Sequence, residues 1–304
     1  MILAAASPRS GYFLGIGFAV AAASFYGCVP NFARAAFSNG VPAIETVFLR
    51  TSVIAIVLGI VASVHRESFR IPYAAWKSFI AQALATFVVS TCYLASVQFI
   101  PVGLAVIIFF AFPVIVVLAS PIVEGHAPSL ERIGIAVLAF IGLGIAVGPG
   151  FETLDIRGVL LAAAAAVGCA LQFFSGRALS RHLSPAVFGS LVHLCILPLV
   201  LAAVLYAGAG QMEVISGSAS SMGLWFAAAV CLAYVGGYFF HMSSLKAAPA
   251  SVVAPYFNWE PILTTIISGL LLGETLKPNQ YGGGALVLAA LVLAGFVESK
   301  KITT

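Results

Sequence analysis

Residues 101–113 read Pro-Val-Gly-Leu-Ala-Val-Ile-Ile-Phe-Phe-Ala-Phe-Pro, and residues 249–261 read Pro-Ala-Ser-Val-Val-Ala-Pro-Tyr-Phe-Asn-Trp-Glu-Pro. Each is an apolar run closed by prolines twelve apart, and a shift of 148 residues carries one onto the other. The same shift carries Ala95-Ser96 onto Ser243-Ser244 and Gly134 onto Gly282. Glu124-Gly125 and Gly273-Glu274 each close the run after the second proline, with following loops that differ by two residues. Earlier in each half, Pro42 stands eight before Arg50 and Pro185 eight before His193, and Gly27-Cys28 recurs as Gly168-Cys169. Pro and Gly are common here, so no single match decides. Their shared order and near-constant spacing read as an internal duplication.

The composition says in what solvent the duplicated unit sits. Of 304 residues, 62% are hydrophobic and 8% charged, against roughly 25% charged in a soluble domain. A chain of this length has too little interior to hide that much apolar surface. Its mean hydropathy is +1.11. Lipid is therefore the expected surroundings, and a water-soluble enzyme, a disordered chain and a nucleic-acid binder are disfavoured together. The net charge of +4 is small and scattered, so no nucleic-acid footprint is expected. Cys28, Cys92, Cys169, Cys195 and Cys231 lie in apolar runs without CxxC spacing, and the five histidines lack metal-ligand spacing. No disulfide, metal or cofactor is expected.

A helix needs about 20 apolar residues to cross the hydrocarbon. Ten runs meet this reading: 11–30, 43–64, 74–97, 101–122, 131–148, 156–177, 186–207, 222–245, 249–273 and 279–297. The runs are continuous, whereas barrel strands would alternate. The first is longer than a signal-peptide core and is followed by nine more, so it reads as a span that is kept. Placing the N-terminus in the cytoplasm leaves ten Lys/Arg inside, three outside and Arg50 within a span. By the positive-inside rule both termini are then cytoplasmic. Residues 1–150 and 151–304 form the two repeats. With an odd number of spans each, they enter the membrane with opposite polarity, which is the architecture of secondary transporters with a midplane site.

Ten short spans in two five-helix halves, a proline in the fourth span of each half, and Asn258-Trp259-Glu260-Pro261 followed by Leu272-Gly273-Glu274 resemble the drug/metabolite transporter superfamily of EamA type. The likeness covers essentially the whole chain. Within that superfamily the chain looks like the YddG-type bacterial exporters of aromatic and other neutral amino acids. The resemblance implies an inner-membrane carrier with a small-molecule substrate, needing no cofactor. The first half departs from the motif, because Glu124-Gly125 reverses the Gly-Glu order.

In lipid, polar side chains turn toward the bundle interior or a watery cavity. Gln82, Thr86, Ser90 and Tyr93 are spaced by four, four and three, so they share one helix face. Adding 148 to the last three gives Tyr234, Tyr238 and His241. The two stripes are read either as facing walls of one cavity or as interhelical hydrogen-bonding glue. Phe109, Phe110 and Phe112 precede Pro113, and Tyr256, Phe257 and Trp259 precede Pro261. Each proline removes a backbone bond near mid-span, so Pro113 and Pro261 are expected to kink their helices. Phe110, Asn258, Trp259 and Glu260 join the expected substrate contacts, with Tyr256 and Glu260 sharing a face. A carboxylate at the depth of Glu260 costs about 2.5–3.5 kcal/mol on insertion scales. Arg50 and His193 occupy matching places. They are either gates or anchors for a substrate carboxylate, or structural groups, Arg50 pairing with Glu45 or helix-end carbonyls and His193 bonding a backbone. Glu124 and Glu274 read as turn caps or interface partners, outside the substrate contacts. The glycines of the fifth and tenth spans read as close packing between the halves or as a dimer surface, although a monomer suffices for the cavity.

No GxxxxGK[ST] loop, GxSxG or HExxH occurs, so neither direct ATP hydrolysis nor an intramembrane enzyme is supported. The expected protein is a secondary carrier exporting neutral, aromatic or apolar amino acids by alternating access. Its rivals are the same fold carrying a purine, sugar derivative or drug, and an enzyme using His193, His241 and Glu260.

Overall fold

The computed structural model describes residues 8–96, 99–100, 102–125, 129–147, 155–208, 212–272 and 278–303, and every regular element among them is helical. In the first half these are α1 (Pro8–Ser38), α2 (Ala43–Val64), α3 (Trp76–Ser96), α4 (Val102–Phe109), α5 (Phe112–Val123) and α6 (Leu130–Val147). In the second they are α7 (Ile156–Leu179), α8 (Pro185–Gly208), α9 (Glu213–Ser216), α10 (Ser221–Ala247), α11 (Ala250–Val253), α12 (Trp259–Leu272) and α13 (Pro278–Thr303). Short 3-10 turns precede α3 (Tyr73–Ala75) and α12 (Ala254–Asn258).

Among the described residues, six stretches are long and apolar enough to cross a membrane: Gly11–Ser38, Glu45–Val64, Ala105–Val123, Ile156–Leu179, Pro185–Tyr206 and Ser221–Ala247. The chain is thus a multi-pass membrane protein. One of the other sequence runs is interrupted: α12 is only 14 residues long because a 3-10 stretch precedes it.

The prolines act differently from the expectation. Pro113 is the second residue of α5 and Pro261 the third of α12. A first-turn residue has no intrahelical acceptor for its N–H, so proline costs little there. The chain therefore breaks before these prolines, at Phe110-Ala111 and over Ala254–Asn258, and neither proline kinks a continuous helix. Pro255 opens the second break, a role the sequence reading assigned to Pro261. Helix α1, by contrast, runs on through Pro30 to Ser38, eight residues beyond the expected end.

Four antiparallel helix pairs dominate the packing, and each joins one helix from either half of the chain: α1 with α10, α3 with α7, α2 with α8, and α6 with α13. Small groups at the seams let backbones approach. A Cβ on Gly237 of α10 would stand 2.6 Å from the Tyr26 ring of α1. Ser190 Oγ of α8 donates to the Ala55 carbonyl of α2 at 2.7 Å. Gly142 and Gly283 bring α6 and α13 so close that a Cβ on Gly283 would lie 2.4 Å from the Gly142 oxygen. Gly134, Gly144, Gly282 and Gly284 face open space, so only part of the expected glycine surface packs the halves together.

Side chains close the bundle ends. Glu45, fully buried, accepts from the backbone N–H groups of Val214 and Ile215 and so anchors α9. This is a different use from the expected pairing with Arg50. Glu124 accepts from Ala250 N (2.7 Å) and Ser251 Oγ (2.6 Å), capping α11 across the two halves. Its expected counterpart, Glu274 with Gly273, lies outside the described residues. Arg177 donates to the Leu245 and Lys246 carbonyls that finish α10, and Glu67 accepts from Ser184. Asp155 caps α7 by accepting from Arg157, whose guanidinium holds the Asp155 carboxyl below its ordinary range.

The α6–α13 seam can be tested by overpacking. Gly283→Val should lower stability by about 1–3 kcal/mol, read as a lower melting temperature in detergent. Gly282→Ala, with nothing within 4 Å of its added Cβ, should melt at or above the wild-type temperature. Equal melting of both variants would mean that the seam is not formed.

Candidate functional site: a cavity among the helix pairs

A cavity of about 310 Å³ lies at the centre of the bundle. Helix α1 supplies Tyr26, Val29, Pro30 and Ala33, and α2 supplies Thr46, Val47 and Arg50. Helix α3 adds Thr86, Val89, Ser90 and Tyr93. Phe109 and Phe112 enter at the α4–α5 break, and Phe257 and Glu260 at the break before α12. Helix α7 contributes Cys169, Gln172 and Phe173, and α10 contributes Val230, Tyr234 and His241.

Aromatic rings make the wall continuous. Phe173 packs on Phe112 (5.2 Å between centroids), on Phe257 (5.0 Å, edge to face) and on His241 (4.4 Å). Tyr93 packs on Phe109 at 4.8 Å. Offset and edge-on contacts of this kind are the favourable aromatic geometries. Two opposite formal charges sit in this surface. Arg50 lays its guanidinium over the Tyr234 ring, 4.5 Å from the centroid, a cation–π contact. Its Nε is buried and donates to no acceptor in the structure. Glu260, half-buried in the first turn of α12, has no ion-pair partner among the described residues.

Tyr234 is itself held in place. His193, fully buried, sets Nδ1 2.7 Å from the Gly189 carbonyl and Nε2 3.1 Å from the Tyr234 hydroxyl. A carbonyl only accepts, so Nδ1 carries the hydrogen, and in the neutral ring Nε2 accepts from the tyrosine. His193 therefore lies behind the wall and orients the ring on which Arg50 rests. It makes the backbone bond anticipated as the structural alternative.

Toward the end where α7 and α10 finish, the cavity stops at a polar layer. Gln82 Nε2 donates to the Tyr238 hydroxyl at 3.3 Å, and Gln82 Oε1 lies 2.5 Å from Ser175 Oγ. Gln172 Nε2 donates to Thr86 Oγ1 at 2.9 Å. Three helices, α3, α7 and α10, are thereby tied together. The two polar stripes divide between both readings: Thr86, Ser90, Tyr93, Tyr234 and His241 face the cavity, whereas Gln82 and Tyr238 bond helix to helix.

The remaining candidates lie outside the cavity. Phe110 is 4% exposed and packs edge-on to Phe109, because the break at 110–111 turns its neighbours inward and Phe110 away. Asn258, 1% exposed, donates to the Pro255 carbonyl. Trp259 donates from Nε1 to Ser24 Oγ and fastens α12 to α1. Tyr256 does not share the face of Glu260, since the intervening turn is 3-10 and a four-residue step there does not return to the same side.

Sequence reasoning anticipated Arg50 on α2 but missed Thr46 and Val47 beside it and the contributions of α1 and α7. The signals were present: Tyr26, Pro30 and Ala33 are spaced by four and three, and Thr46 stands four before Arg50. In a cysteine-free background, Ser90→Cys should react with a membrane-impermeant methanethiosulfonate and Gln82→Cys, inside the polar layer, should not. Equal labelling at both positions would contradict this depth assignment.

Comparison with known proteins fits this architecture. The profile of the EamA-like transporter family matches twice, over residues 13–148 and 156–296. A solved crystal structure, 17% identical, superposes with a TM-score of 0.79 over 96% of this chain and 99% of that one. At that identity it shares the fold alone. No functionally curated protein matches significantly. The double match covers both halves and nearly every described helix, and the chain belongs to the EamA-like transporter family.

Proposed function

We propose that this transporter is a secondary carrier that exports neutral, aromatic or otherwise apolar amino acids across a bacterial inner membrane, in the manner of YddG-type exporters. The observation that carries this reading is the aromatic-walled cavity of about 310 Å³. Its size is at the small end of ligand sites, and its mostly apolar lining with a few convergent polar groups is what a small amphipathic solute requires.

Ten spans are counted in this reading, with α4–α5 as one broken span and α11–α12 as another. They form two inverted five-span repeats, 1–150 and 151–304. The packing pattern supports the inversion. A shift by five spans exchanges α1 with α7 and α10 with α3, so the α1–α10 pair becomes the α7–α3 pair. The same shift returns α2–α8 and α6–α13 to themselves. These are the four dominant pairs. Broken spans facing a central site are the usual device of secondary transporters.

In the proposed orientation both termini are cytoplasmic. The layer of Gln82, Ser175 and Tyr238 then closes the cytoplasmic side, and α1 from Tyr26 to Ala33 leads outward. Alternating access would part this layer and close the outer ends of α1 and α2. One copy of the chain contains the whole cavity. Within it, Thr86, Ser90, Tyr93, Tyr234, His241 and Glu260 contact the substrate, while Tyr238, Asn258, Trp259, Phe110 and His193 support the wall from behind.

Radiolabelled phenylalanine counterflow in reconstituted vesicles tests the function. The expected result is phenylalanine exchange well above protein-free vesicles, abolished by Phe173→Asp. Exchange of a purine or sugar derivative without exchange of phenylalanine would overturn the amino-acid reading.

A further inference from the structure

We infer that the cavity reads both ends of a zwitterion: Arg50 takes the substrate carboxylate and Glu260 its ammonium group, so that free α-amino acids are selected over amines, carboxylic acids and uncharged rings of the same shape. The inference rests on the proposal that this cavity is the substrate site.

Arg50 is built as an anion receptor awaiting an acceptor. Stacking on Tyr234, itself bonded to His193, fixes the guanidinium plane. The buried Nε donates to nothing, and a buried N–H without an acceptor is costly. A carboxylate fits the Nε edge of a guanidinium with two parallel hydrogen bonds. The acidic residue nearest in sequence, Glu45, is committed to Val214 and Ile215 and does not compete.

Glu260 is the complementary group. It follows the 3-10 break on α12, whose backbone is pinned to α1. Thr264 Oγ1 lies 3.0 Å from the Gly27 carbonyl and 2.9 Å from the Glu260 carbonyl, and Asn31 donates to the Thr264 carbonyl at 2.8 Å. The carboxylate is therefore carried on a fixed frame, faces the cavity, and has no cation opposite it among the described residues. A substrate ammonium supplies that cation. Arg50 and Glu260 stand on α2 and α12, with α1 packed against both.

The charge count also excludes rivals. A purine offers neither charge and would leave both groups unpaired. A phosphorylated sugar would be drawn to Arg50 and repelled by Glu260. The same cavity is lined by Phe109, Phe112, Phe173 and Phe257, which suits an aromatic or aliphatic side chain.

The test is equilibrium binding to purified, monodisperse protein, read as a shift in melting temperature, with phenylalanine, phenethylamine and 3-phenylpropionate. Wild type should bind phenylalanine at least about tenfold more tightly than either single-ended analogue, because a site built for a polar group rejects ligands lacking it. Arg50→Gln should lose about tenfold or more for phenylalanine and 3-phenylpropionate but keep phenethylamine within about twofold. Glu260→Gln should show the opposite pattern. Arg50→Lys and Glu260→Asp, which retain charge, should fall between and serve if the neutral variants do not fold. Parallel losses for all three ligands in both variants, or wild-type protein that binds the three equally or not at all, would overturn the inference. The crossed pattern without phenylalanine movement in vesicles would support it and remove the export reading instead.

Discussion

The structure depends on backbone contact between helices that come from opposite halves of the chain. In hydrocarbon there is no hydrophobic force to drive helices together, so association relies on close packing and on hydrogen bonds between them. Gly237 against Tyr26, Ser190 against Ala55, and Gly283 against Gly142 are points of such close approach. Because each dominant pair crosses the halves, neither half has a closed core of its own. The space left at the centre, where the pairs diverge around two broken helices, is the cavity.

The breaks and the cavity follow from the same local chemistry. Prolines at 113, 255 and 261 leave backbone groups without helical partners, and such groups are tolerated only where protein or a cavity meets them. Phe109 and Phe112 are turned inward by one break, Phe257 and Glu260 by the other. Polar side chains then sort by depth. At the cavity level Arg50 Nε and His241 Nε2 have no hydrogen-bond partner in the structure, whereas Gln82, Ser175 and Tyr238 one layer away bond to each other. A change of access in the proposed cycle would exchange such bonds at one end of the bundle for others at the opposite end.

Much of this was legible in the residues. The offset of 148 located the duplicated segments, and the stripe from Thr86 to Tyr93 offered a cavity-facing surface on α3 as one of its two readings. Helical spacing failed where the chain was not an α-helix. Tyr256 was assigned to the face of Glu260, but the 3-10 turn rotates it away. Tyr238 fell on the right stripe, yet a partner from another helix, Gln82, claimed its hydroxyl, and no single-helix pattern encodes that. The first run was drawn to residue 30, whereas α1, packed along α10, continues through Pro30 to Ser38. Arg50 and Glu45, five residues apart, looked like a pair, and only the position of α9 reveals that Glu45 is already occupied.

The central claim is that the aromatic cavity holds the amino acid between Arg50 and Glu260. A crystal structure with 4-bromophenylalanine tests it most directly, since bromine gives an anomalous signal independent of interpretation. The account predicts one bromine peak against Phe109, Phe112, Phe173 and Phe257, with the amino-acid group lying between the Arg50 guanidinium and the Glu260 carboxylate. A bromine peak outside this cavity, or a ligand whose charged groups touch neither residue, would contradict it.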